Sequence, residues 1–550
     1  MVPLNLKIYQ EDRKERGVYD KRNCINDLTG KEWLFSTKTV LPQSFSPNPL
    51  FSQYNFLYSP LPVEIVQDLI STFSKPNESI LDPFAGIGTI LFANNIENKG
   101  YNYAKRKITG IESNPSYLTI FHDVKQKFSN FNDRIIEKPP QIALNLLQNE
   151  HFELILTELP LWELYSYSSS INFHMIDEWI LKKEEILKEV IGHLQLGKYF
   201  ILIISLPHSP DNLLKPLNQS NFYLSIKLSG MLESLGLIMK SERIWFIPEP
   251  NGGELIPIPL NRRILVFRRE TGSFKVNLSP KIPFFSGKTF VLHKAFPPSF
   301  NHDLRREHGG MKPPELAHYL IESFSQDSSD LILDPFAGVG GTLLGGSLAK
   351  RSVIGVDINP RWREIYESVS TSAGFSLQHY IIGDSRKILS EAIKDNSIDL
   401  VLTDVPYWAM DKLKKTRGRF SRAGEPSREK LHSSLKRFDD STVQSIEEWL
   451  ELLNDVFRSC YMKLKHEKYL IVFIGNMYRT FNEQIQGKKE RRGRYLFLSG
   501  RLGLLLHSIG FKFKKEFIWY SPDKSLHVFG YPFSYIPSIV HQTILVFKKE

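Results

Sequence analysis

The sequence predicts a doubly wound α/β fold that is built twice along the chain. Three observations lead to this prediction. Short apolar strands alternate with helical patterns, a similar glycine-rich turn follows a strand in each half, and further blocks recur in the same order. Continuous apolar strands between helices are typical of a parallel sheet that is covered on both faces.

The repeated blocks match in residue type as well as in order. The clearest pairs are PVEIVQDLISTFS (62–74) with PPELAHYLIESFS (313–325), and ERIWFIP (242–248) with EFIWYSP (516–522). A polar segment punctuated by Pro and Gly lies between the halves at 271–288. We therefore predict two domains, 1–275 and 276–550, that form an intramolecular pseudo-dimer.

Length and composition limit the classes of protein to which the chain can belong. Its 550 residues are too many for one hydrophobic core. Two cysteines rule out a disulfide scaffold and a cysteine-rich zinc site, and we expect no bound metal. The sequence has neither an apolar run of membrane-spanning length nor a secretory signal, so we expect a cytoplasmic protein. The net charge of +10 favours a polyanionic partner.

Three strands of the second half end near a carboxylate that can meet a ligand. Asp334 opens the turn DPFAGVGG, in which Gly338 and Gly340 allow close approach of the backbone ahead of a helix N-terminus. Asp357 ends the next strand, where it can accept hydrogen bonds from both hydroxyls of a ribose. Asp384, in the segment IIGDS, can hold the amino group of an adenine.

The glycine turn alone fits a dinucleotide site, a nucleoside site or a plain strand-to-helix turn. It opens with an acidic residue, however, and Asp334 suits the ammonium of an amino acid better than a pyrophosphate. An adenosine that carries an amino acid is S-adenosylmethionine. We therefore predict this compound as the cofactor.

A fourth strand delivers the residues of the predicted reaction. The stretch IDLVLTDVPYW (398–408) places Asp404, Val405, Pro406 and Tyr407 at the ligand edge of the sheet. A nucleobase amine is a poor nucleophile because its lone pair is delocalised into the ring. If the carboxylate and the Val405 carbonyl accept its two N–H groups, the lone pair is aimed at the sulfonium methyl. The proline fixes the turn, the tyrosine stacks on the base, and a duplex base must first be flipped out.

These motifs, in this order, resemble those of the DNA methyltransferases that methylate adenine N6 or cytosine N4. DPFAGVGG, GVDINP and TDVPYW are similar to motifs I, II and IV of that family, and NDLTGKEWLFSTKTV (26–40) resembles its opening segment. The resemblance implies two tandem Rossmann-like, S-adenosylmethionine-dependent methyltransferase domains that act on DNA. It implies a catalytic turn and a cofactor pocket, made by Asp404, Val405, Pro406 and Tyr407, and by Asp334, Phe336, Gly338, Gly340, Asp357 and Asp384. Val405 replaces the usual first Pro, but its carbonyl is retained, and we expect activity to be retained too.

The first half keeps the glycine turn and departs from the pattern at the second turn. DPFAGIGT (82–89) and Glu112 match the pocket, whereas ELILTELPLW (153–162) has Glu158 in the place of Asp404 and Leu161 in the place of Tyr407. Glutamate is one methylene longer and leucine cannot stack in the same way. No counterpart of the GDS segment is present. We therefore expect a degenerate first copy and a catalytic second copy.

Basic residues are concentrated in two places, at 411–440 and at 487–494. The first segment directly follows the catalytic turn, and we expect it to contact DNA. The residues predicted to do so are Lys414, Lys415, Arg417 and Arg419.

Other functions fit parts of the sequence. GVGGTLL and TDVPY also resemble enzymes that methylate a guanine amine in transfer RNA, but those have Gly rather than Trp after the Tyr. We expect RNA to be the less favoured substrate. A nucleic-acid-binding module without catalysis is a further alternative. The choice between adenine and cytosine, and between a restriction–modification role and a regulatory one, stays open.

Overall fold

The structure is a computed structural model of the chain. It describes residues 19–44, 48–54, 60–96, 104–161, 163, 173–205, 221–248, 255–260, 262–271, 285, 287–406, 445–485, 488–524 and 526–550. Tyr407 and the predicted DNA contacts Lys414, Lys415, Arg417 and Arg419 lie outside these ranges.

Two large mixed sheets and one hairpin contain the strands. In chain order these are β1 (Val40–Pro42), β2 (Ser79–Asp82), β3 (Lys107–Ile111), β4 (Arg134–Ile136), β5 (Phe152–Glu158), β6 (Leu194–Ser205), β7 (Leu237–Phe246), β8 (Pro257–Pro259), β9 (Arg262–Arg269), β10 (Lys288–His293), β11 (Leu331–Asp334), β12 (Ser352–Asp357), β13 (His379–Ile382), β14 (Ile398–Asp404), β15 (Leu464–Ile474), β16 (Met477–Ile485), β17 (Lys488–Leu496), β18 (Lys512–Tyr520) and β19 (His541–Lys548).

The helices alternate with these strands. They are α1 (Gly30–Ser36), α2 (Val63–Phe73), α3 (Thr89–Asn95), α4 (Pro115–Lys125), α5 (Pro140–Leu146), α6 (Phe173–Gly192), α7 (Asn221–Ser234), α8 (His302–Arg305), α9 (Pro314–Phe324), α10 (Gly341–Leu348), α11 (Pro360–Ser372), α12 (Ser385–Ala392), α13 (Ile446–Lys463) and α14 (Leu498–Ile509), with 3₁₀ turns at Pro49–Phe51 and Arg306–His308. The apolar patterns at 62–74 and 313–325 thus form α2 and α9, each within one residue of the predicted ends.

The two sheets have the same order of strands. The first runs β1-β7-β9-β6-β5-β2-β3-β4, and the second runs β8-β10-β18-β19-β15-β14-β11-β12-β13. Apart from β8, the strands of each sheet pair in parallel except where β9 or β19 takes part, and those two strands are antiparallel to both neighbours. This is the predicted doubly wound α/β architecture.

Both faces of the sheets are covered, as the apolar strands predict. Along β5, Leu154 and Leu156 pack in one core with the residues of α2, whereas Ile155 packs in another core with the residues of α6. The carboxyl ends of the parallel strands form the edge at which a doubly wound sheet binds its ligands.

Contacts between the halves are extensive. Phe222 of α7 stacks on Phe513 of β18 with ring centroids 5.1 Å apart, and Tyr535 packs against Phe73 of α2 at 4.8 Å. The strand β8 pairs antiparallel with β10, so a segment before residue 275 completes the sheet of the second half. The division into domains at 275 and 276 stays a prediction.

The basic segment at 487–494 belongs in large part to a β-hairpin. β16 and β17 pair antiparallel over nine residues each. Two of the arginines are held in ion pairs: Arg492 lies 2.8 Å from Glu490, and Arg494 lies 2.5 Å from Glu483. These side chains are thus already neutralised by neighbours within the hairpin.

Within the described ranges, we find no helix that combines the length and the apolar character needed to cross a membrane.

Candidate active site

The second glycine turn links β11 to α10. Gly338 and Gly340 have φ of +49° and +74°, in the left-handed region that side chains rarely adopt. A Cβ on Gly338 would lie 2.8 Å from Nε2 of His308, and one on Gly340 would lie 2.3 Å from Cδ2 of Tyr366. Both glycines are therefore required by backbone conformation and by space.

Asp334 links this turn to the neighbouring strand β14 by hydrogen bonds. Its Oδ1 accepts hydrogen bonds from the Thr403 hydroxyl at 2.6 Å and from the Phe336 N–H at 3.0 Å. The residue is only 2% exposed, and burial raises the pKa of its carboxyl group to about 6. The predicted contact between Asp334 and a cofactor ammonium stays a prediction.

Asp357 connects the turn to the next strand. Its Oδ2 accepts the Gly338 N–H at 2.9 Å, and its Oδ1 accepts the Asn359 N–H at 3.0 Å. Asn359 in turn accepts the Arg361 N–H at 3.0 Å and so caps α11. The carboxylate is thereby fixed at the carboxyl end of β12, where the sequence places a ribose-binding residue.

Asp384 caps α12 and lines a smaller cavity of about 350 Å³ next to Asp357. Its carboxylate accepts the Arg386 N–H at 2.9 Å and pairs with the guanidinium of the same residue at 2.5 Å. Phe336, Ile358 and Leu452 supply apolar walls to this cavity. Apolar walls with a carboxylate in the lining are features of small-molecule sites, and we refer to this cavity as the slot at Asp384.

The second turn follows β14, beside the glycine turn. Val405 is fully buried, and its N–H donates to the Phe473 carbonyl of β15 at 3.4 Å. The carbonyl of Pro406 accepts the indole N–H of Trp449, on α13, at 2.8 Å. The sequence gives no signal for this last contact, which anchors the turn to a helix more than forty residues later.

A cleft of about 690 Å³ brings the two turns together. Its lining includes Gly338, Asp357, Asp404 and Pro406 from the predicted set, and also His308, Lys312, Thr342, Trp362 and Phe473, which the sequence analysis did not identify. The carboxylates and the glycine turn that line this cleft are groups that can hold an adenosine carrying an amino acid.

Lys312 is the most direct addition to the predicted site. Its Nζ lies 2.5 Å from Oδ2 of Asp404, and the two side chains are 8% and 19% exposed. The residue stands directly before the Pro313–Pro314 pair that starts α9. A lone lysine before a helix carries no motif of its own, so only the fold shows that it meets the carboxylate.

The glycine turn of the first half has hydrogen bonds equivalent to those of the second half. Gly86 donates its N–H to Glu112 at 2.9 Å, and Thr157 donates its hydroxyl to Asp82 at 2.7 Å. Burial raises the pKa of Asp82 to about 7. The equivalent bonds of the second half join Gly338 to Asp357 and Thr403 to Asp334.

The second turn of the first half is arranged differently. Glu158 accepts a hydrogen bond from Ser205 and pairs with the buried guanidinium of Arg262 at 3.6 Å. Leu161 is 1% exposed, and Leu61 occupies the sequence position that corresponds to Lys312. The Glu158 carboxylate is thus held by side chains from strands of its own sheet.

Comparison with known families agrees with the geometry. A family model for N6 and N4 methyltransferases, described as DNA methylase, matches residues 10–123, 152–368 and 398–550. The chain belongs to this DNA methylase family. It is therefore an S-adenosylmethionine-dependent methyltransferase, with the cofactor that the sequence predicts.

Two curated relatives of this methylase are named tRNA (guanine(10)-N2)-dimethyltransferase. The one from Methanothermobacter thermautotrophicus is 29% identical over 178 residues, which are 32% of this chain and 44% of the relative. The one from Methanocaldococcus jannaschii is 29% identical over 106 residues, 18% of this chain and 30% of the relative. The matched region thus spans less than half the length of either relative.

Solved methyltransferase structures share only weak similarity with this methylase. A SAM-dependent methyltransferase from Methanosarcina mazei is 14% identical, with a TM-score of 0.27, over 42% of this chain and 96% of that one. TrmN from Thermus thermophilus is 13% identical, with a TM-score of 0.27, over 56% of this chain and 60% of that one. Scores at this level do not bear on function.

Proposed function

We propose that the second half methylates an exocyclic base amine in DNA, at adenine N6 or cytosine N4. The observation that carries this proposal is the cleft itself, because Asp404 and Pro406 face the same space as Gly338 and Asp357. The reaction needs a carboxylate that binds the base amine next to a glycine turn that binds the methyl donor. Membership of the DNA methylase family supports DNA as the substrate.

The residues of the chain act by positioning and by electrostatics. S-adenosylmethionine supplies, when bound, a methyl group on a positively charged sulfur. Asp357 and the glycine turn would hold its ribose and its amino acid, and the slot at Asp384 would hold its adenine. Asp404 accepts one N–H of the base amine, and the carbonyl of Val405 accepts the other. The nitrogen is thereby held with its lone pair free to attack, and the carboxylate lies in reach of the proton that the amine must lose afterwards.

The base reaches the cleft only if it is turned out of the duplex. Tyr407 is proposed to stack on it, as the residue directly after the turn. Lys414, Lys415, Arg417 and Arg419 are proposed to contact the phosphates nearby.

The first half is proposed to be a non-catalytic partner. Its glycine turn has the same internal bonds as the second, but Glu158 is bound to Arg262 and Ser205 instead of facing a base. A tandem duplication followed by loss of the second turn accounts for both features. The shared order of strands in the two sheets supports this proposal.

A second candidate function is methylation of a guanine amine in transfer RNA. The names of the two curated relatives favour it, because both are guanine-N2 dimethyltransferases of transfer RNA. The chemistry at Asp404 would be the same, since guanine N2 is also an exocyclic amine. The nucleic acid and the base would differ.

Mass spectrometry of nucleosides distinguishes these functions. The purified protein is incubated with S-adenosylmethionine and either amplified, unmethylated DNA of mixed sequence or transfer RNA made by transcription. We expect N6-methyldeoxyadenosine or N4-methyldeoxycytidine from the DNA. N2-methylguanosine from the transfer RNA alone would establish the second candidate. No methylation of either, with cofactor binding intact, would leave a binding module and contradict both.

A further inference from the structure

Lys312 is held in place by buried contacts. Its main-chain carbonyl accepts a hydrogen bond at 2.7 Å from the guanidinium of Arg305, a residue that is 1% exposed. Its side chain runs over the ring of Phe473, with Nζ 5.6 Å from the ring centroid, and ends 2.5 Å from Asp404. The ammonium is thus fixed beside the proposed catalytic carboxylate, at the wall of the same cleft.

The position of this cation differs between the two halves. In the second half it comes from the segment before α9, and its side chain lines the cleft. In the first half Leu61 stands at that position, and the carboxylate of Glu158 is paired from within the sheet by Arg262 of β9. A cation that faces the cleft therefore accompanies the turn that keeps the catalytic pattern.

We propose that Lys312 and Asp404 together recognise the amidine edge of the target base, an inference that rests on the proposed function. This edge consists of the exocyclic amine, the ring carbon that carries it and the adjacent ring nitrogen with a free lone pair, and adenine, cytosine and guanine all have such an arrangement of atoms. The carboxylate accepts an N–H from the amine. The ammonium has three N–H groups, and after one has gone to Asp404 another can donate to that ring nitrogen. Thymine and uracil present the opposite order, a carbonyl oxygen beside an N–H, and are rejected.

Among the described residues, the other charged or titratable groups near the Asp404 carboxylate include Asp334, which shares Thr403 with the turn, and Asp357, His308 and Lys524. Lys312 contacts the carboxylate directly. An ionised carboxylate can only accept hydrogen bonds, and it therefore selects an amine over a carbonyl oxygen.

The test combines substitutions in the protein with an altered base. The DNA duplex is one that the protein methylates at a mapped position, and a second duplex has 1-deazaadenine or 3-deazacytosine at that position. Removing the ring nitrogen takes away the proposed acceptor of Lys312 and leaves the amine in place. The variants are Lys312→Met, Lys312→Arg and the exposed control Lys394→Met.

We expect Lys312→Met to lower kcat by about 100-fold, the scale for loss of one transition-state donor, with the Kd for S-adenosylmethionine unchanged. The deaza base should lower kcat of the unaltered protein by a similar factor. In the Lys312→Met variant, the deaza base should lower kcat by less than about a further threefold. Lys312→Arg should recover part of the loss, and Lys394→Met should lose nothing.

Two results would overturn the proposal. One is full activity of the unaltered protein on the deaza duplex, which needs no variant to fold. The other is a decrease in kcat, for the Lys312→Met variant on the deaza duplex, that equals the product of the two separate decreases. If no nucleic acid is methylated at all, it is the proposed function that fails.

Discussion

Arg263 and Glu516 form an ion pair that joins the two sheets. One terminal nitrogen of the Arg263 guanidinium, on β9, lies 2.5 Å from Oε2 of Glu516, on β18, and both side chains are at most 1% exposed. The other terminal nitrogen lies 2.7 Å from Glu242 on β7. A single cation therefore neutralises two buried carboxylates at the contact between the halves.

Replacing this arginine should destabilise the whole chain. In Arg263→Met the two glutamates lose their shared cation, and we expect the free energy of unfolding to fall by about 3–5 kcal/mol. Urea unfolding followed by circular dichroism measures the change. Arg269→Met, on the same strand but bonded to main-chain carbonyls at the surface, should lose less than about 1 kcal/mol. Equal losses in the two variants would show that the pair does not hold the sheets together.

The glycine turn can be tested with two glycines that share a backbone angle. Gly340 and Gly374 both have φ of +74°, but a Cβ on Gly340 would lie 2.3 Å from the Tyr366 ring, whereas one on Gly374 would meet nothing within 4 Å. Gly374→Ala should lose about 1–2 kcal/mol from backbone strain alone. Gly340→Ala should lose about 1–3 kcal/mol more, because a buried ring must move. Thermal unfolding checks the difference, and only Gly340→Ala should also weaken binding of S-adenosylmethionine.

The buried carboxyl of Asp82 should make stability depend on pH. Burial raises its pKa to about 7, so the folded chain binds this proton more tightly than the unfolded chain, in which the value is about 3.9. The contribution is fully present below about pH 4 and is lost as the pH rises to about 7, at up to about 1.4 kcal/mol per unit. Asp82→Asn should therefore gain stability relative to the unaltered protein over this window. Urea unfolding at intervals between pH 4 and 8 measures the difference.

Asp384 supplies a control of opposite sign. Burial alone would raise the pKa of its carboxyl group, but the hydrogen bonds and charge of Arg386 outweigh burial and lower it. Its contribution to stability is present above the unfolded value and is lost as the pH falls. If Asp82→Asn and Asp384→Asn responded to pH in the same direction, the assignment of Asp82 would be wrong.

Phosphate contacts by the basic segment after the catalytic turn should appear in the salt dependence of binding. Each contact adds close to one unit to the slope of log K against log salt concentration. Replacing Lys414, Lys415 and Arg417 by Gln should therefore reduce the slope by about three. Fluorescence anisotropy with a labelled duplex at several salt concentrations measures it. An unchanged slope would exclude these side chains from the phosphate contacts.

Much of the fold could be predicted from the sequence because the relevant signals are local. The strands LILD, SVIGVD and IDLVLTD end as predicted at Asp334, Asp357 and Asp404, since continuous apolar runs stop where the sheet meets the ligand edge. The hairpin at 477–496 was not predicted. Its strands are rich in charge and are specified by pairing with each other and by ion pairs such as that of Arg494 with Glu483, which periodicity does not reveal.

The residues of the site also differ in whether local sequence signals could reveal them. Gly338, Asp357 and Asp404 could be found from motifs, because each ends a strand or lies in the turn that follows one. Lys312 could not be found in this way, because it meets Asp404 across 92 residues and belongs to no motif. Nor could Arg262, which engages Glu158 only because β9 folds back beside β6 in the same sheet. Motifs therefore identify the carboxylates, whereas the cations that distinguish the two halves depend on tertiary contacts.

The roles of the two halves can be separated by a matched pair of substitutions. Asp404 and Glu158 end equivalent strands, but the first faces the cleft beside Lys312 and the second is held by Arg262. Asp404→Ala should lower kcat for DNA methylation by at least about 100-fold, because the amine loses its acceptor, while S-adenosylmethionine still binds. Glu158→Ala should keep kcat within about twofold, although it removes the carboxylate that pairs with the buried Arg262 guanidinium and should lower the melting temperature. Transfer of labelled methyl groups, with calorimetric titration of the cofactor, gives both readouts. Methylation that survives Asp404→Ala, or that disappears in a folded Glu158→Ala protein, would place the chemistry in the other half.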